Sequence, residues 1–129
     1  MRDVERICTM AFILFVEDEP IARRTIAMFF RLAGYEVSEA ETGEEALEFL
    51  SRMQFDAVIT DLNLPGRLNG LDILNASKKT RRIKAAILIT SFGSDETRSR
   101  AKSLGAGYME KPIKLTELHS YLEHCAARA

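Results

Sequence analysis

The stretch Phe12-Ile13-Leu14-Phe15-Val16-Glu17-Asp18-Glu19-Pro20 decides how the rest of the chain is read. Five apolar residues in a row suit a strand buried on both faces, a habit of parallel sheets. The run stops at three acidic residues. Pro20 follows, and its missing N–H is harmless in the first turn of a helix. Strand, acidic turn and helix are therefore expected in that order. Ile26, Phe29, Phe30 and Ala33 next form one apolar stripe at helical spacing. Gly34 fits the helix end, where a left-handed residue is wanted.

Downstream the alternation recurs. Ala57-Val58-Ile59 and Ala85-Ala86-Ile87-Leu88-Ile89 are further apolar runs, and Tyr35 to Ser38 and Gly107 to Met109 are shorter candidates nearer the sheet edges. Thr42 with Glu45 makes a capping box for a second helix, which would turn Ala46 and Leu50 inward. Asn69 is placed to cap a third helix containing Leu71 and Leu74. The fourth, after Ser94-Asp95-Glu96, has little to bury beyond Ala101 and Leu104, which predicts a marginal, mobile element. The fifth carries Leu115, Leu118, Leu122 and Cys125 on one side. Such alternation implies a parallel sheet with helices on both faces, joined by right-handed crossovers. The expected fold is α/β: a flavodoxin-like doubly wound five-stranded parallel sheet with five helices, (βα)5. It forms a single domain over residues 1–129, with its core at about 10–125.

Composition narrows the function. A chain of 129 residues can bury a core without disulfides or a structural metal. The formal net charge of −1, without a Lys/Arg-rich tail or a basic amphipathic helix, argues against a nucleic-acid partner. The apolar run from Met10 to Val16 is too short to span a bilayer, and Asp3 and Glu5 stand where a signal peptide would be basic. A cytoplasmic protein with no membrane partner is expected. Cys8 and Cys125 lack CxxC spacing and read as two reduced thiols. His119 and His124 are five residues apart, so they do not stack on one helix face. They read as surface or partly buried residues, not as metal ligands.

Ligands of doubly wound sheets bind beyond the carboxyl ends of the strands. Here the first strand ends at Glu17-Asp18, the third at Asp61, the fourth at Thr90 and the fifth near Lys111. Three carboxylates, a hydroxyl and an ammonium should meet at one edge. Clustered carboxylates repel unless a cation intervenes, and Mg²⁺ takes one or two carboxylates plus waters and phosphate oxygens. Lys111 supplies a point charge for a phosphoryl oxygen and Thr90 a donor. Asp61 is a nucleophile able to form an acyl phosphate, a transfer that needs mainly positioning and charge neutralisation. Singly, each residue has a plainer explanation: a helix-dipole partner, a turn aspartate before Leu64-Pro65-Gly66, a β-branched strand end, a surface lysine. Their coincidence at four strand ends favours one shared site.

With these residues in place, the chain resembles the receiver domain of bacterial two-component response regulators over about residues 10 to 125. The matching pieces are Phe15-Val16-Glu17-Asp18-Glu19, Ile59-Thr60-Asp61-Leu62-Asn63-Leu64-Pro65-Gly66, Ile89-Thr90-Ser91 and Tyr108-Met109-Glu110-Lys111-Pro112. The resemblance implies that Asp61 is the phosphoacceptor. It makes Asp18, Asp61 and the Asn63 backbone carbonyl direct Mg²⁺ ligands, with Glu17 acting through water. Thr90 and Lys111 become the phosphoryl-sensing groups, and Tyr108 the aromatic that changes rotamer on activation. It also implies a cis Lys111-Pro112 bond. The phosphodonor would be a sensor histidine kinase or a histidine phosphotransfer domain, and a downstream protein would read the face of the fourth helix, fifth strand and fifth helix. Two departures stand out: Glu17 replaces a commoner aspartate, and Pro65-Gly66-Arg67-Leu68-Asn69-Gly70 is one residue longer than the usual loop.

Three rival readings are weaker. A haloacid-dehalogenase-type enzyme carries Asp-x-Asp after its first strand, whereas Asp61-Leu62-Asn63 follows the third. Flavodoxin-like or nucleotide-binding modules seat phosphate in a Gly- or Ser/Thr-rich turn, whereas Glu17-Asp18-Glu19-Pro20 repels an anion. A pure interaction domain would not need the complete set of groups. The expectation is a phosphoacceptor that assists its own phosphotransfer and slow autodephosphorylation, not a classical enzyme. It is either free-standing or a receiver of a larger protein.

Overall fold

The structure, a computed structural model, describes residues 11–128; Cys8 lies outside them. Its elements are β1 (Phe12–Val16), α1 (Pro20–Leu32), β2 (Glu36–Ala40), α2 (Gly43–Arg52), β3 (Ala57–Asp61), α3 (Gly70–Ser77), β4 (Ala85–Thr90), α4 (Asp95–Ser103), β5 (Gly107–Glu110) and α5 (Leu115–Arg128). The strands form one parallel sheet in the order β2-β1-β3-β4-β5. Chain order reverses between β1 and β3, the place where sheets of this kind bind ligands beyond the carboxyl edge.

Strand residues alternate between two buried layers. Ile13, Phe15, Ala57, Ile59, Ile87 and Ile89 pack with Phe30 of α1 and Leu118 and Leu122 of α5. On the other face, Leu14, Val16 and Val58 pack with Ala46 of α2 and Ile73 of α3. A smaller cluster joins Leu88 to Leu71, Leu74 and Ala101, with Tyr108 packed against it. Ala101 is the only buried residue of α4 among those described. That helix has little apolar burial to lose, as its composition led one to expect.

The helix ends follow the chain's local chemistry. Pro20 opens α1 and Glu19 caps it, accepting from the Ala22 N–H. Gly34 takes the left-handed conformation, at φ 103°. Ala33 lies at the exposed cap, and Ala27 instead completes the buried stripe. Thr42 accepts from the Glu45 N–H as expected, but Glu45 reaches back to the N–H of Glu41 rather than of Thr42. The full reciprocal box occurs at α3, between Asn69 and Asp72.

At the amino edge of the sheet a buried carboxylate acts as a staple. Asp56 accepts from the N–H groups of Ala11 and Phe12, each at 2.9 Å, and pairs with Arg82 at 3.1 Å. Arg82 also lies over the Phe12 ring. His119 is partly buried and meets Phe29, Phe30 and Tyr35 edge-on, whereas His124 is exposed.

Candidate functional site

Register aligns the site. Val16 pairs with Thr60, so Glu17 and Asp61 stand level at the ends of β1 and β3. Asp61 pairs with Ile89, and Thr90 lies one residue beyond. Thr90 pairs with Glu110, which puts Lys111 just past the end of β5.

The lysine closes the constellation. Lys111 Nζ donates to Asp61 Oδ2 at 2.8 Å and to Glu17 Oε1 at 3.1 Å. Glu17 Oε2 also accepts from the Glu19 N–H at 3.0 Å. Asp61 is 6% exposed and Glu17 3%. Burial pushes the Glu17 carboxyl above its ordinary value, aided by the nearby charge of Asp61. The Glu19 N–H and Lys111 oppose that rise without cancelling it. Desolvation pulls the Lys111 ammonium down, but its bonds to Asp61 and Glu17 outweigh that and leave its pKa raised. Lys111 therefore stays charged at neutral pH. The Lys111–Pro112 peptide bond is cis.

Asp18 is exposed beside this pair. One carboxylate oxygen from each of Glu17, Asp18 and Asp61 can be chosen so that all lie within 4.8 Å of one another. Three hard oxygen donors at that spacing suit a small divalent cation, and Mg²⁺ fits the donor chemistry. Asn63 is exposed, two residues past Asp61. Leu62 donates its N–H to the Ile89 carbonyl, and Gly70 donates to the Leu62 carbonyl. A side chain at Gly70 would strike the Asp61 carbonyl, so only glycine lets α3 begin this close to β3. The longer loop between them is tied to α2, where Glu44 accepts from the Arg67 N–H at 3.2 Å.

Thr90 is fully buried, and its hydroxyl oxygen accepts from the Phe92 N–H at 3.1 Å. Tyr108, paired with Leu88, lies on the same sheet face as Thr90. Its hydroxyl sits over Gly93 and bonds Glu110 Oε2 at 3.3 Å. The Arg98 guanidinium stacks on the Tyr108 ring at 4.8 Å and approaches Glu110 at 3.6 Å. Burial raises the Tyr108 phenol above its ordinary value, reinforced by Glu110 and opposed by Arg98. The sequence reading singled out neither Arg98 nor Arg23, which lies buried beneath the acidic turn.

A five-stranded parallel sheet of this order, with acids at the ends of β1 and β3 and a lysine past β5, defines a class, and comparison with known proteins names it. The family model "Response regulator receiver domain" matches residues 13–123, and the chain belongs to that family. It is similar to the transcriptional regulatory protein PdtaR of Mycobacterium tuberculosis, with 33% identity over 90% of this chain and 57% of that protein. A cyclic di-GMP phosphodiesterase of Thermotoga maritima is 29% identical over 87% of this chain and 30% of its own length. Among solved structures, the chemotaxis protein CheY4 of Vibrio cholerae superimposes with a TM-score of 0.79 at 29% identity, over 90% of this chain and 98% of that one. The chain thus spans between about a third and three fifths of these two curated relatives. Receiver domains are phosphoacceptor switches of two-component systems, not classical enzymes, and they work with histidine kinases and downstream effectors.

Proposed function

We propose that Asp61 is the phosphoacceptor of this receiver and that Mg²⁺ is held by Asp18, Asp61 and the Asn63 carbonyl, with Glu17 acting through water. One observation carries the reading: a buried aspartate at the carboxyl end of β3 lies 2.8 Å from Lys111 and within one carboxylate cluster with Glu17 and Asp18. When bound, the cation supplies charge neutralisation for the phosphoryl oxygens. An Asp61 carboxylate oxygen attacks the phosphorus of a phosphohistidine on a sensor kinase or phosphotransfer domain. The new O–P bond forms as the P–N bond breaks, and the electron pair leaves with the imidazole nitrogen. Lys111 then follows the new charge, and the Thr90 hydroxyl donates to a phosphoryl oxygen. Water slowly hydrolyses the acyl phosphate and resets the switch.

The output is carried by the neighbouring face of α4, β5 and α5. Movement of Thr90 toward the phosphoryl group opens space into which Tyr108 rotates. Helix α4 follows, since it buries so little. A cleft of about 330 Å³ lined by Arg98, Tyr108, Ile113 and Glu117 lies where a downstream protein would read the change. We take the domain to span the whole chain and to act in the cytoplasm. None of the described helices is long and apolar enough to cross a membrane.

Transfer from a phosphorylated histidine phosphotransfer domain tests the function. Label should leave the donor and appear on this protein only with Mg²⁺ present. Retention of label by a panel of such donors, under conditions where another receiver is labelled, would contradict it.

A further inference from the structure

The geometry points to Arg23 as a positioning residue for the acidic pair, fixing the peptide between Glu17 and Asp18 so that Asp18 faces the cation; this rests on the metal site proposed above. Arg23 falls on the inward face of α1, in line with buried Ala27 and Phe30, where an apolar residue is the simpler choice. It is only 7% exposed. A cation so placed must be fully paired. Nε donates to Glu39 Oε1 on β2 at 3.2 Å, Nη2 lies 3.7 Å from Glu41, and Nη1 donates to the backbone carbonyl of Glu17 at 3.0 Å.

That last contact links the arginine to the site. Glu17 is held on every side: its N–H by the Ala40 carbonyl, its carbonyl by Arg23, and its carboxylate by Lys111 and the Glu19 N–H. Asp18 is not. Among the described residues, its side chain has no hydrogen-bond or ion-pair partner. The peptide plane that joins it to Glu17 places its Cα, and the carbonyl of that plane is the acceptor of Arg23. Glu39 anchors the fork, so β2 contributes to the site without reaching it. A lysine offers a point charge in place of a planar fork and does not reproduce both contacts.

Titration of the ¹⁵N-labelled protein with MgCl₂, followed by NMR, tests the assignment apart from any phosphorylation. Arg23→Met should weaken Mg²⁺ binding on the order of tenfold, as loss of a group orienting a ligand does. Arg23→Lys and Glu39→Gln should each give a smaller loss, with the spectrum of the fold retained. Because Arg23 acts through Asp18, the losses from Arg23→Met and Asp18→Asn should not add in the double variant. A purely structural arginine would lower the melting temperature and leave the affinity of the folded protein alone. Wild-type affinity in both Arg23→Lys and Glu39→Gln, or full additivity with Asp18→Asn, overturns the inference. Should Arg23→Met not fold, the other two variants decide. Should the wild type bind no Mg²⁺, the metal-site reading falls first and this inference with it.

Discussion

Lys111 Nζ lies 2.8 Å from Asp61 Oδ2, so the resting site already holds a cation against its central carboxylate. Lysine and metal then compete for the same negative charge. Two unit charges 4 Å apart interact by about 1–4 kcal/mol between bulk-water and near-surface dielectrics. Lys111→Met should therefore tighten Mg²⁺ binding by about tenfold at low ionic strength. At saturating Mg²⁺ the same variant should label more slowly, on the order of 10²-fold, because it has lost a charge that stabilises the transferring group. Calorimetric titration and stopped labelling reactions measure the two effects separately. Weaker metal binding in Lys111→Met would count against this competition.

The two acidic residues of the β1–α1 turn should not contribute equally. Glu17 spends both carboxylate oxygens on Lys111 and the Glu19 N–H, whereas Asp18 is free to ligate. Asp18→Ala should weaken Mg²⁺ binding and slow labelling more than Glu17→Ala does. Metal titration of the two variants gives the order, and the reverse order would reassign the direct ligand.

The staple at the other edge is a matter of stability alone. Asp56→Ala leaves two backbone N–H groups without their acceptor and takes the carboxylate from Arg82, which keeps its bond to Gln54. Both N–H groups are only partly buried, so at about 1–3 kcal/mol for a fully buried group left unsatisfied the loss should lie toward the low end, roughly 2–3 kcal/mol in total. Urea unfolding measures it. Mg²⁺ affinity of the folded variant should be unchanged, since Asp56 and the cluster lie at opposite ends of the strands.

How much of this was legible beforehand depends on the kind of interaction. The five strands and five helices were readable because continuous apolar runs and helical stripes are local signals, and the strand-end rule then gathered Glu17, Asp61 and Lys111. Lys111 and Glu17 are 94 residues apart, yet both simply mark where strands stop. Asp56, Arg23 and Arg98 were missed for the opposite reason. A charged residue reads alike in one dimension whether it is solvated or buried in a pair, and each of these owes its role to partners on other elements. Glu45 shows the limit of even a local motif, since its carboxylate chose the neighbouring N–H.

The Tyr108 phenol reports on the latch formed by Arg98 and Glu110. Glu110→Gln removes a nearby negative charge that disfavours the phenolate, so the phenol pKa should fall toward the ordinary 10.0. Arg98→Ala removes the cation that favours the phenolate, so the pKa should rise further. The ring ¹³C shift of Tyr108, followed by NMR against pH, gives both values. Shifts in the same direction, or none, would mean that the stacking and the hydrogen bond are not populated in solution.

Phosphorylation of Asp61 itself decides the account most directly. Wild-type protein and Asp61→Asn, each incubated with acetyl phosphate and Mg²⁺, are compared by intact mass, and the wild-type product is reduced with borohydride and mapped by peptide. Gain of a single phosphoryl group by the wild type, reduction at residue 61, and no rapid gain by Asp61→Asn are the expected results. Labelling of Asp61→Asn at the wild-type rate, or reduction mapped to another carboxylate, would contradict the assignment of Asp61 as the phosphoacceptor.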